Sequence, residues 1–142
     1  MNFTKPKRIL VVDDDLQSTR MIKFNLERTG RYEVRELNNP IAALDVAREF
    51  KPDLILLDVC MPELQGVDVA FQIRADEELQ QTPVVFMTSL ISEWEAVGDG
   101  TDGGGFHFVA KPARLPRMIT CIEKSLDAAW RADEFSIQGK HP

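Results

Sequence analysis

The chain is poor in cysteine: only Cys60 and Cys121 occur in 142 residues. Two cysteines build no disulfide framework, and these form no metal-ligand pattern. No apolar run approaches the length that spans a bilayer, and the longest are strand-sized. The basic N-terminus, Met1 to Arg8, is not followed by an apolar segment, which argues against a secretory signal. Positive charge is also short: 17 Lys and Arg against 23 Asp and Glu give a net charge of −6. Such a balance argues against direct nucleic-acid binding, because phosphate contacts need a positive surface. The expectations are therefore cytoplasmic residence, no membrane and no nucleic acid. With 44% hydrophobic and 28% charged residues, the composition is that of one globular domain large enough for a proper core.

What is present is an alternation of strand-like and helix-like segments, the pattern of a parallel α/β sheet with crossover helices. Arg8 to Val12 reads as the first strand and Leu16 to Thr29 as a helix that Gly30 stops. Tyr32 to Leu37 alternates and is more polar, as an edge strand does. Asn39 is placed to cap a helix that has Pro40 at its first position and runs through Phe50. Leu54 to Leu57 is apolar throughout, which predicts a central strand buried on both faces. A loop follows from Asp58 to Gln65, then a helix from Gly66 to about Leu79. Val84 to Met87 is the fourth strand and Phe106 to Ala110 the fifth. Leu115 to Arg131 is the last helix, with Leu115, Met118, Ile119, Ile122 and Leu126 on one face. Residues 133–142 read as a polar tail, leaving 1–132 as the domain. Ser92 to Val97 begins a short helix with a capping box, Ser92 and Glu95. The glycines between Gly98 and Gly105 would each cost about 1 kcal/mol in a helix interior, so a loop is expected there.

Each apolar strand ends on a polar residue. Asp13, Asp14 and Asp15 follow the first, Asp58 the third, Thr88 the fourth and Lys111 the fifth. A parallel sheet brings the carboxyl ends of its strands to one edge, where ligands bind. With strand order 2-1-3-4-5, Asp58 faces Asp13 and Asp14 across the switch point of the sheet. Taken singly, these residues have ordinary explanations: an aspartate caps a helix, a threonine makes a turn, a lysine is a solvated charge. Together they supply carboxylates for a divalent cation and donors for a phosphoryl group.

In this order and spacing, Val11-Val12-Asp13-Asp14, Leu56-Leu57-Asp58 with Met61-Pro62 and Gly66, Thr88-Ser89 and Lys111-Pro112 resemble a response-regulator receiver domain of two-component phosphorelays. The resemblance to this CheY-like superfamily covers about Arg8 to Arg131. It implies a single doubly wound, five-stranded parallel sheet of the flavodoxin-like kind, order 2-1-3-4-5. It implies Asp58 as phosphoacceptor, with Asp13, Asp14, Asp58 and the backbone carbonyl of Cys60 holding Mg²⁺. Thr88 and Lys111 would contact the phosphoryl oxygens, and Thr88 with Phe108 would form the switch. The implied partners are a sensor histidine kinase or histidine phosphotransfer protein, and a downstream protein target. The implied chemistry is self-catalysed phosphoryl transfer and its hydrolysis, without metabolic enzyme activity.

Some residues depart from the family pattern. The glycine-rich stretch replaces the end of the usual fourth helix. Cys60 and Leu90 stand where the family tunes the phosphoryl lifetime, and a thiol with an apolar chain predicts slow to moderate loss. No output domain follows the last helix, so the expectation is a stand-alone receiver or a portion of a longer protein. Two competing readings fit less well. A haloacid-dehalogenase-like phosphohydrolase uses an Asp-x-Asp pair, which Asp13 and Asp15 match, but Gln17 breaks that pattern. A flavin module of the same topology would want backbone N–H groups for its phosphate and no carboxylates beside them.

Overall fold

A computed structural model describes residues 5–59, 61, 64–88, 107–111 and 114–139, with side chains through residue 128. Five parallel strands form one sheet in the order β2-β1-β3-β4-β5. They are β1 (Lys7–Val12), β2 (Tyr32–Leu37), β3 (Leu54–Asp58), β4 (Val84–Thr88) and β5 (His107–Ala110). The described helices are α1 (Leu16–Glu27), α2 (Ala43–Phe50), α3 (Gly66–Ala75) and α4 (Leu115–Gly139). The expected doubly wound sheet and its strand order are thus both found.

Strand alternation divides the core into two layers. Leu10, Val12, Ile55, Leu57, Val84 and Phe86 face Ala47 and Phe50 of α2 and Val69 and Ile73 of α3. Ile9, Val11, Leu54, Leu56, Val85 and Met87 face Leu26 of α1 and Met118 and Ile122 of α4. Every residue of β3 is buried, as its unbroken apolar run predicts for a strand covered on both faces.

The edge strand β2 is guarded from α1. Leu37 and Arg31 turn their carbonyls to β1, so the alternate residue Val34 turns its peptide groups outward. Its N–H donates to Glu27 Oε2 at 2.9 Å and its carbonyl accepts from Lys23 Nζ at 2.7 Å. One helical ion pair, Lys23 to Glu27 at 3.0 Å, thereby occupies hydrogen-bonding groups that an added strand would seek.

Some boundaries differ from the sequence reading. Pro40–Ala42 forms a 3-10 turn ahead of α2, with Asn39 Oδ1 accepting from the Ile41 N–H at 3.1 Å as its cap. Helix α3 ends at Ala75 rather than near Leu79, because Asp76 leaves helical geometry with ψ 127°. The Asp76 carboxylate accepts from Glu78 N at 2.9 Å and from Arg48 Nε at 2.6 Å, which stabilises a separate turn. Helix α4 continues to Gly139, eight residues beyond the expected end at Arg131 and into the stretch expected as a polar tail. The expected short helix at Ser92 to Val97 and the glycine-rich Gly98 to Gly105 lie outside the described residues, as does Phe106. No described helix is long and apolar enough to cross a membrane.

Candidate metal and phosphoryl site

The strand ends bring Asp13, Asp14, Asp58, Thr88 and Lys111 to one edge of the sheet. Val12 is in register with Leu57, and Asp58 with Met87, so the residues that follow β1 and end β3 are neighbours. By alternation Asp13 and Asp58 lie on the α1 and α4 side of the sheet. They line a cleft there with Asp14, Lys111, Leu115 and Met118. Asp13 is fully buried and Asp58 nearly so, while Asp14 is exposed.

One carboxylate oxygen from each of Asp13, Asp14 and Asp58 lies within 4.8 Å of the others. Lys111 reaches this cluster from the end of β5. Its ammonium donates to Asp13 Oδ2 at 2.5 Å and stands 3.5 Å from Asp58 Oδ1. One cation against three carboxylates leaves a negative surplus in a partly desolvated place. Burial pushes the Asp58 carboxyl up from 3.8 to about 6, and the Asp13 charge adds to the rise, while Lys111 opposes it. Burial works against the charge of Lys111, yet its bond to Asp13 and the charges of Asp13 and Asp58 hold its ammonium above the usual range. Hard oxygen donors with uncompensated charge are what a small divalent cation takes, so the three aspartates can hold one.

Asp15 has another task. Its side chain accepts from the Gln17 N–H at 3.0 Å and caps α1. That role removes Asp15 from the carboxylate cluster and leaves the Asp13-x-Asp15 pair of a phosphohydrolase without support. Thr88 is buried at the end of β4, and the Lys111 N–H donates to its carbonyl at 3.1 Å. Phe108 stacks on Phe86 with ring centroids 5.4 Å apart. Phe86 pairs with Phe108 and Thr88 with Ala110, so Thr88 and Phe108 share a face of the sheet. Cys60, Pro62, Ser89, Leu90 and Pro112 lie outside the described residues.

Gly66, expected as the start of the third helix, has a further role in the structure. Its N–H donates to Val59 O at 2.9 Å, and a Cβ on it would stand 2.3 Å from the Asp58 carbonyl oxygen. Only glycine lets α3 start this close to the backbone that carries Asp58. Sequence reasoning missed Asn38, Thr19 and Glu36. They form a hydrogen-bonded line behind Asp13, and no periodicity or motif marks them as a group.

The fold and site define a class: a doubly wound α/β domain of the flavodoxin-like kind, with an acidic centre and one lysine at its ligand edge. Comparison with known proteins is specific within that class. The family model for the response regulator receiver domain matches residues 9–123. The polar-differentiation response regulator DivK of Brucella anthropi is 34% identical over 127 residues, which cover 87% of this chain and 99% of that protein. A putative response regulator of Chloroflexus aurantiacus superposes with a TM-score of 0.72 at 26% identity, over 87% of this chain and 99% of that one. The receiver domain of the sensor histidine kinase PA1611 of Pseudomonas aeruginosa, solved with magnesium coordinated in its active-site cleft, shares the fold. Its TM-score is 0.72 at 24% identity, over 87% of this chain and 99% of that one. The chain belongs to the response regulator receiver domain family.

Proposed function

We propose that the protein is a phosphorylation switch that takes a phosphoryl group on Asp58. The observation that carries this reading is the meeting of three carboxylates within 4.8 Å of one another with Lys111 bonded among them. The donor is a phosphohistidine on a sensor kinase or phosphotransfer protein, or a small acyl or amido phosphate. The Asp58 carboxylate oxygen attacks phosphorus; an O–P bond forms, the P–N or P–O bond to the donor breaks, and its electron pair leaves with the donor. Asp13, Asp14, Asp58 and the Cys60 carbonyl would hold Mg²⁺, which when bound offsets charge on the transferred oxygens. Lys111 donates to a phosphoryl oxygen, and the Thr88 hydroxyl donates to another. Burial of Asp13 and Asp58 keeps those contacts strong by limiting solvent screening.

The acyl phosphate is labile, so the mark is temporary, and the protein performs only its own phosphoryl transfer and hydrolysis. Thr88 moving toward the phosphoryl group vacates space on the face it shares with Phe108. A shift of that ring changes the surface offered to a downstream protein. The proposed place of work is the cytoplasm, where phosphodonors of this kind are made.

The test is incubation with Mg²⁺ and a small acyl or amido phosphate, followed by mass spectrometry under neutral, rapid conditions. The expected result is one labile phosphoryl group, absent from Asp58→Asn. A label that persists in Asp58→Asn would sink the assignment.

A further inference from the structure

We propose that Asn38 and Thr19, anchored by Glu36, are positioning residues for the metal centre: they hold the Asp13–Asp14 peptide so that its carboxylates stand preset beside Asp58. The proposal deepens the reading of the acidic cluster as a metal site and rests on it.

Thr19 is fully buried on α1. Its Oγ1 lies 3.0 Å from Glu36 Oε2 at the end of β2 and 3.1 Å from the Leu16 carbonyl. Both neighbours only accept, so the single hydroxyl proton points to them and the oxygen is left to accept. It accepts from Asn38 Nδ2 at 3.0 Å. The same amide nitrogen donates to the Asp13 carbonyl at 2.8 Å. The Asn38 amide is therefore fixed in orientation by two acceptors, one of them buried and held by a carboxylate.

The consequence falls on the metal ligands. The Asp13 N–H donates to the Leu37 carbonyl at 3.0 Å, so the peptide units on both sides of Asp13 are tied to the last residue of β2 and the residue after it. The Asp13 carboxylate is held as well, by the Asp15 N–H at 3.0 Å and by Lys111. Asp14 is exposed, and the Asp13–Asp14 peptide sets where its Cα stands relative to Asp13. Carboxylates this close repel one another and would splay if that peptide were free. Holding it in advance lowers the ordering cost of binding a cation.

The test titrates the full chain with Mn²⁺ at neutral pH and follows free ion by electron paramagnetic resonance, with metal-free melts in parallel. Thr19→Val keeps the shape and removes the hydroxyl; Asn38→Leu removes the donor; Thr19→Ser restores the hydroxyl. The expected result is about tenfold weaker binding for Thr19→Val and Asn38→Leu, with Thr19→Ser close to the parent. Equal affinity in all four proteins overturns the proposal, and so does equal weakening of Thr19→Ser and Thr19→Val, which would trace the effect to packing. If Asn38→Leu does not fold, Thr19→Val against Thr19→Ser decides. Asp13→Asn separates the two levels: a parent that binds Mn²⁺ no better than Asp13→Asn removes the metal site itself, whereas loss in Asp13→Asn alone removes only the roles given to Asn38 and Thr19.

Discussion

Replacing Asp58 by asparagine should make the metal-free protein more stable at neutral pH, although it removes the proposed phosphoacceptor. The folded carboxyl is raised from 3.8 to about 6, chiefly by burial and then by the charge of Asp13. A carboxyl raised on folding binds its proton more tightly in the folded state. Its stabilising contribution is complete below about pH 4 and is lost as pH climbs through about 6. Above that, the charged Asp58 carries a cost of about 3 kcal/mol, from 1.36 kcal/mol per pKa unit. Asparagine keeps the volume and carries no charge, so it escapes much of that cost. In EDTA at pH 7.5 the variant should melt about 4–10 °C higher, at roughly 3–4 °C per kcal/mol for a domain of this size. Near pH 4 the two proteins should melt together, since both side chains are then neutral. Mg²⁺ should close the neutral-pH gap by raising the parent, by about 2.7 kcal/mol at a hundred times its dissociation constant. Thermal melts from pH 4 to 8, with and without Mg²⁺, check each limb. A gap that is flat across this range, or a parent more stable than Asp58→Asn at pH 7.5 without metal, would refute the reasoning.

Gly66→Ala forces a Cβ to 2.3 Å from the Asp58 carbonyl oxygen; a loss of about 1–3 kcal/mol is expected in denaturant melts, with slower phosphoryl uptake. Removing the guard on β2 by Lys23→Ala with Glu27→Ala exposes the Val34 N–H and carbonyl. Faster amide exchange at Val34 and concentration-dependent association by light scattering are expected, and an unchanged monomer with a protected Val34 amide would count against the guard. Lys51 adopts φ 54° at the end of α2, so Lys51→Gly should stabilise by about 0.5–1 kcal/mol in the same melts.

The receiver fold was legible because its strands are short apolar runs whose ends are marked by polar residues. Ile9 to Val12 and Leu54 to Leu57 are fully covered as their composition predicts. Asn39 acts as the cap its position foretells. Helix α3 is shorter than its sequence predicts because Glu77 to Leu79 carry no breaker, whereas the break comes from Asp76 and its long-range partner Arg48. Helix α4 is longer than the polar stretch after Arg131 predicts, because nothing in residues 132–138 forbids a helix.

By itself, the sequence determined which residues stand at the strand ends, since alternation and apolar runs are local patterns that repeat every two or four residues. Parallel topology then sends Asp13, Asp58, Thr88 and Lys111 to a common edge. Only the tertiary structure decided how those groups are connected. It bonds Lys111 to Asp13 at 2.5 Å and leaves it 3.5 Å from Asp58. It runs a line from Glu36 through Thr19 and Asn38 to the Asp13 carbonyl, and it sets Gly66 against the backbone of Asp58. The physical reason is range: a strand forms from what its neighbours in sequence are, whereas a single hydrogen bond between distant residues depends on placement to a few tenths of an ångström.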